Sequence, residues 1–117
     1  MRMILSATVL ALAVAIGGAA PAGASYRRCS IGDATSYGPT YVTSLAASHV
    51  SCAKARRVVR AFHRCRKANG GTDGRCRHRV LRFRCREQRG YGRGQFTGKV
   101  VCSRGTARVR HTYTQFT

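Results

Sequence analysis

Ser51-Cys52-Ala53-Lys54-Ala55-Arg56-Arg57-Val58-Val59-Arg60-Ala61-Phe62-His63-Arg64-Cys65-Arg66-Lys67 is the stretch on which the fold turns. At 100° per residue, Ala55, Val58, Val59 and Phe62 form one apolar stripe with Cys52 and Cys65 at its edges. Arg56, Arg57, Arg60, His63, Arg64 and Lys67 fall on the opposite side. Ser51 is placed to accept an orphan amide at the helix start, and Asn69-Gly70-Gly71 supplies a stop. The pattern predicts a basic amphipathic helix over Cys52 to Lys67 that must lay its stripe on another element.

A sheet is the expected partner. Tyr41 to Leu45 alternates with β-branched or aromatic character and reads as a short strand, with Ala46 to Val50 as the connection to the helix. Val80-Leu81-Arg82-Phe83-Arg84-Cys85 alternates Leu81, Phe83 and Cys85 against Val80, Arg82 and Arg84. Phe96 to Ser103 puts Phe96, Val100 and Cys102 on one face. Ala107 to Phe116 alternates Ala107, Val109, His111 and Tyr113 against Arg108, Arg110, Thr112 and Thr114, after a turn at Ser103 to Thr106. The segment Gln88 to Gln95, with Arg89-Gly90-Tyr91-Gly92-Arg93-Gly94 inside it, reads as a flexible hairpin loop. The expected fold is α+β: one amphipathic helix packed on a three- to four-stranded antiparallel sheet, its outer face lined with arginines.

Residues 1–24 carry a different signal. Met1-Arg2-Met3 is a positive start, Ile4 to Ile16 is apolar apart from Ser6 and Thr8, and Ala22-Gly23-Ala24 offers small residues for a peptidase. This is the three-part pattern of a secretory signal peptide. As a helix the apolar run would reach about 20 Å, short of the roughly 30 Å of a bilayer core. The expected organisation is a signal peptide at 1–24 and a single small disulfide-bonded domain at 25–117, secreted or cell-wall associated, with no transmembrane segment after processing.

All six cysteines, Cys29, Cys52, Cys65, Cys76, Cys85 and Cys102, lie beyond residue 24. Export would take them to an oxidising compartment, where three bridges would compensate for the thin core of so small a domain. Six cysteines allow about fifteen pairings. Cys65 with Cys76 is the expected one, because Lys67 to Gly74 is turn-rich and lets the chain double back. A metal site from Cys65, Cys76, His78 and Cys85 is the alternative, but it lacks close Cys-x-x-Cys pairs. No metal or cofactor is expected.

The chain holds 22 Lys plus Arg against 3 acids, for a formal charge of +19. All the basic residues except Arg2, Arg27 and Arg28 lie between Lys54 and Arg110. Such a field attracts polyanions, although an Arg-, Ala- and Gly-rich composition is also what a GC-rich genome writes. Three acids in the whole chain argue against paired-carboxylate catalysis, and no Gly-x-Ser-x-Gly elbow is present. An even cysteine count leaves no thiol nucleophile. A small nuclease built on Glu87, His111 and Arg82 or Arg84 has the residue types but no spacing motif.

The sequence thus predicts a non-enzymatic protein that binds anionic polymers or surfaces by charge: wall polymers, acidic polysaccharide, nucleic acid or anionic lipid. The expected contacts are Arg56, Arg57, Arg60, Arg64 and Lys67 on the helix and Arg82, Arg84, Arg108 and Arg110 on the sheet. Two alternatives stay open: an inhibitor-like module presenting Gln88 to Gln95, and a membrane-active helix at Cys52 to Lys67.

The run from Ser51 to Phe62, followed by Phe83-Arg84-Cys85 and Val100-Val101-Cys102, resembles small secreted cysteine-containing proteins of actinobacteria with no assigned function. Their pattern is an S-C-x-x-A-x-x-V helix followed by strands with single cysteines. The resemblance covers roughly residues 41 to 113 and implies export and a compact disulfide-bonded domain. It transfers no catalytic residue. Cys29, Cys65 and Cys76 go beyond the simpler pattern.

Overall fold

The computed structural model describes residues 25–117, so the predicted signal segment, 1–24, lies outside the described residues. Five strands form one antiparallel sheet: β1 (Arg27–Arg28), β2 (Tyr41–Ser48), β3 (Arg84–Gly92), β4 (Gln95–Arg104) and β5 (Ala107–Phe116), in the order β1-β2-β5-β4-β3. Among the described residues one α-helix, α1 (Cys52–Ala68), follows β2 and lies across one face, with a short 3-10 turn at Gly71–Asp73 after it. The class is α+β, as expected, with five strands where three or four were predicted. The pairing of β2 with β5 carries the last strand into the middle of the sheet.

The helix begins where its cap dictates: Ser51 Oγ accepts the Lys54 amide at 3.1 Å. At its end the Asn69 side-chain amide donates to the Cys65 carbonyl at 2.7 Å, and Gly70 and Gly71 turn the chain with positive φ. Ala55, Val58, Val59 and Phe62 are fully buried against Leu45, Ala47, Phe96, Val100, Cys102, Val109 and Tyr113. Burying each large apolar side chain contributes about 1.5–3 kcal/mol. Gly98 is needed beneath this layer, since a Cβ there would sit 2.2 Å from Tyr113 Cε1; the Tyr113 ring lies over it.

Three disulfides tie the sheet, the helix and the loops together. Cys29–Cys52 joins the N-terminal segment to the helix start, Cys65–Cys76 joins the helix end to the following loop, and Cys85–Cys102 links directly opposed residues of β3 and β4. The expected Cys65–Cys76 pairing is present. Each bridge removes loop entropy from the unfolded chain, roughly 2–4 kcal/mol apiece.

Four local expectations are corrected. Val80 to Cys85 is not one strand: Arg84 and Cys85 open β3, but before them Val80 and Phe83 exchange backbone hydrogen bonds (2.9 and 2.7 Å) around Leu81 and Arg82, whose φ values are +48° and +68°. That reversal buries Val80 and Phe83 together, exposes Leu81 and takes Arg82 off the sheet. Gln88 to Gln95 is not a free loop either, because β3 runs to Gly92 and only Arg93-Gly94 turns. β2 extends to Ser48 because β1 and β5 pair with it on its two sides. His63, assigned to the solvated side of the helix, is fully buried.

Candidate functional site

Directly opposed residues of an antiparallel sheet share a face, so the register sorts every strand side chain into two environments. The face covered by α1 carries Cys85, Glu87, Arg89 and Tyr91 of β3, Phe96, Gly98, Val100 and Cys102 of β4, and Val109, His111, Tyr113 and Gln115 of β5. The open face carries Arg84, Arg86, Lys99, Arg108 and Arg110, with Arg28 of β1 at its edge.

The covered face contains a polar network beside the apolar core. Arg66, wholly buried, donates from Nε to His63 Nδ1 at 3.1 Å, from one terminal nitrogen to Gln115 Oε1 at 2.8 Å, and from the other to the Thr72 carbonyl. Its guanidinium carbon lies 5.0 Å from the centre of the Tyr113 ring. Because Arg66 can only donate, His63 Nδ1 is the acceptor and its proton sits on Nε2, which faces His111 Nε2 at 3.0 Å. His111 then carries its proton on Nδ1, a buried donor without a partner among the described residues. Burial, the other imidazole and Arg66 hold His63 far below the ordinary histidine range. Burial and Arg66 push His111 down to about 3.

Glu87 sits in the same layer. It accepts from the Tyr113 hydroxyl at 2.5 Å and pairs with Arg89, the one ion pair among the described residues. Arg89 also donates to the Asp73 and Gly74 carbonyls at 2.9 and 2.5 Å. Burial and the bond to Glu87 raise the Tyr113 phenol well above its ordinary value. Glu87 and His111, the residues of the nuclease alternative, therefore both point to the inner side of the sheet, Glu87 engaged with Tyr113 and Arg89 and His111 facing His63 through Nε2. Of the metal alternative, Cys65, Cys76 and His78 come together, their ligand atoms within 4.8 Å of one another, but the two cysteines are bonded to each other and Cys85 to Cys102. His78 does stand beside the first bridge, its Nε2 at 3.3 Å from Cys65 Sγ.

The open face is built differently. One cross-strand row reads Arg28, Ala46, Arg110, Val101, Arg86 from β1 to β3. Its three arginines stand two strands apart, roughly 10 Å. The next row carries Arg108 and Arg84, and the row on the other side carries Lys99 between Thr112 and Gln88. The face is concave, a half-open hollow of about 890 Å³ over Ala46, Val101 and Thr112. No acid lies on it: Asp33 is in the β1–β2 connection, Asp73 in the short turn after α1, and Glu87 on the covered face. Its cations are thus without carboxylate partners.

The predicted contact residues accordingly divide among three places. Arg84, Arg108 and Arg110 lie on the open face; Arg110 stacks on Tyr26 at 4.1 Å and Arg108 donates to the Gly105 carbonyl at 2.5 Å. Arg56, Arg57, Arg60, Arg64 and Lys67 lie on the outward side of α1, across the domain. There Arg56 donates to the Ser30 carbonyl at 3.0 Å and Arg60 covers the Tyr37 ring at 4.5 Å, while Arg57, Arg64 and Lys67 are exposed. Arg82 is isolated in its turn. Sequence reasoning missed Arg28, Arg86 and Lys99, although Arg86 continues the alternation of Arg82 and Arg84 and would have been found by extending it. Among the described residues no helix is long and apolar enough to cross a membrane. Comparison with protein-family models, curated proteins and solved structures yields no match.

Proposed function

We propose that the protein is an exported, non-enzymatic binder of anionic polymers, with the open face of the sheet as its principal contact. The observation that carries this reading is the concave face bearing Arg28, Arg84, Arg86, Lys99, Arg108 and Arg110 with no acid among them. Apart from Arg110 on the Tyr26 ring and Arg108 on neighbouring backbone carbonyls, the folded chain offers these cations no carboxylate to offset their charge, and an external polyanion can. Arginine predominates, and its planar fork can take a phosphate or carboxylate with two hydrogen bonds. The outward side of α1 adds a second basic surface, partly engaged in holding the N-terminal segment through Arg56 and Arg60. The three disulfides suit an oxidising compartment and resist the self-repulsion of so basic a chain.

The test compares two charge reversals in the oxidised domain: Arg86, Lys99 and Arg110 to Glu on the sheet, and Arg56, Arg60 and Arg64 to Glu on the helix. Affinity for a phosphate polymer should collapse in the sheet variant and fall less in the helix variant. Wild-type binding should weaken about a thousandfold between about 50 and 200 mM salt if six phosphates are contacted. Binding that ignores salt overturns the reading, and loss confined to the helix variant moves the site to α1.

A further inference from the structure

The centre of the open face is not only charged. At Thr43 the register of β2 against β5 slips: Val42 opposes Tyr113 and Ser44 opposes Thr112, so two residues of β2 answer one step of β5. The bulge turns both Thr43 and Ser44 toward Thr112. Thr43 Oγ1 and Ser44 Oγ each lie 2.5 Å from Thr112 Oγ1. A bulge costs ladder pairing and re-aims side chains, a device common beside binding sites. Here it gathers three hydroxyls in the wall of the concavity, with Lys99 directly opposite Thr112 and Arg110 two residues along the same strand face.

The hydrogen-bond arithmetic of this cluster selects among ligands. Three hydroxyls own three protons, and the two internal bonds use two of them. One O–H and several lone pairs remain to face outward. A bare phosphate or carboxylate oxygen accepts only, so it can use the single donor and is repelled by the lone pairs. A hydroxyl group both donates and accepts, and fits. No Phe, Tyr or Trp lines the concavity itself, and the ring at its margin, Tyr26, is already covered by Arg110 at 4.1 Å, so unpaired bases have no free ring to stack on there. The volume of about 890 Å³ is that of a site for a unit of small-molecule size.

We infer that this concavity binds a phosphorylated polyol or sugar unit of an anionic polymer. Its phosphate is held by Arg86, Lys99 and Arg110, and its free hydroxyls by the cluster of Thr43, Ser44 and Thr112. The inference rests on the anionic-polymer reading above and adds recognition of the uncharged part of the ligand. Charge supplies the attraction, while the hydroxyl cluster supplies the preference between polymers of equal charge.

The experiment measures affinities of the oxidised domain for poly(glycerol phosphate), inorganic polyphosphate, single-stranded DNA and anionic phospholipid vesicles, matched for charge, at two salt concentrations. Wild type should prefer poly(glycerol phosphate) over polyphosphate by about tenfold or more, the equivalent of one or two hydrogen bonds. The variant Thr43→Val, Ser44→Ala, Thr112→Val should lose that preference while keeping its polyphosphate affinity and salt dependence. Arg86→Gln with Arg110→Gln should weaken both polymers together. Equal, salt-dependent binding of the two polymers by wild type overturns the inference and leaves the charge-based function standing. Tighter binding to DNA or vesicles overturns it in favour of those partners. Salt-independent binding, or no binding to any of the four, removes both readings.

Discussion

The two faces of the sheet use the same residue type in opposite ways. Arg66 and Arg89, on the covered side, spend their donors on His63, Gln115, Glu87 and the carbonyls of Thr72, Asp73 and Gly74. Arg86 and Arg110, on the open side, have no carboxylate within the chain to meet. The difference follows from solvent. A buried guanidinium without partners would cost several kcal/mol, so burial is tolerated only where the backbone and neighbouring side chains satisfy it. An exposed one is satisfied by water and stays available to a ligand. Charge in this protein is therefore two resources, one structural and one external, and each can be disturbed without the other.

Acid should disturb the covered face most. His63 and His111 are both held neutral in the fold, with pKa lowered by burial first and by neighbouring positive groups second. In the unfolded chain each titrates near 6.5. Below that pH the unfolded state binds protons that the native state refuses. The stability the pair confers is thus complete above about pH 6.5 and lost progressively as pH falls toward the folded values, near 3 for His111. The groups facing the pair, Arg66 and Lys67 from α1 and Arg89 from β3, add only positive charge. Two such groups lose up to about 2.7 kcal/mol per pH unit, or roughly 5 kcal/mol by pH 4.5. Urea midpoints measured from pH 7.5 to 4.5 check this; a flat profile means the imidazoles are not buried as described. His111→Leu should remove about half of the slope.

Removing Arg66 tests the same face without a change of pH. Arg66→Met leaves His63 Nδ1, Gln115 Oε1 and the Thr72 carbonyl without their donor, and should cost about 3–5 kcal/mol. The double variant with Gln115→Met should cost less than the sum of the single changes, because the two side chains share one bond. Chemical denaturation of the four proteins in the cycle measures the coupling. Strict additivity would show that Arg66 and Gln115 do not interact.

Much of this arrangement could be read from the chain. The helix follows from its 3.6-residue stripe, β4 and β5 from clean alternation, and the Cys65–Cys76 bridge from the turn-rich residues between. The two-residue strand Arg27–Arg28 is too short to show a period. β3 hid because the side chains it turns inward include Glu87 and Arg89, which no hydrophobic pattern flags. The reversal at Leu81-Arg82 puts two non-glycine residues at positive φ, against local preference, and is fixed by tertiary burial of Val80 and Phe83. Arg66 was legible in principle: it stands four residues after Phe62 and seven after Val59, on the apolar stripe. The bulge at Thr43 was not, since it depends on register between strands far apart in sequence.

The open face should respond least in stability and most in binding. Two unit charges 10 Å apart in water repel by about 0.4 kcal/mol, and physiological salt screens much of that. Replacing Arg28, Arg86 and Arg110 by Gln removes three such charges from one row of the sheet without emptying any buried position. The expected change in unfolding free energy is within about 0.5 kcal/mol per site, with a slight gain at low salt as repulsion is relieved. Affinity for a phosphate polymer should fall meanwhile, with the logarithmic salt dependence reduced by about one per lost contact. Urea midpoints and polymer affinities measured on the same preparation separate the two effects. A loss of stability beyond about 1 kcal/mol per site would show that these arginines hold the sheet together as Arg66 holds the core, and the contrast between the faces would be gone.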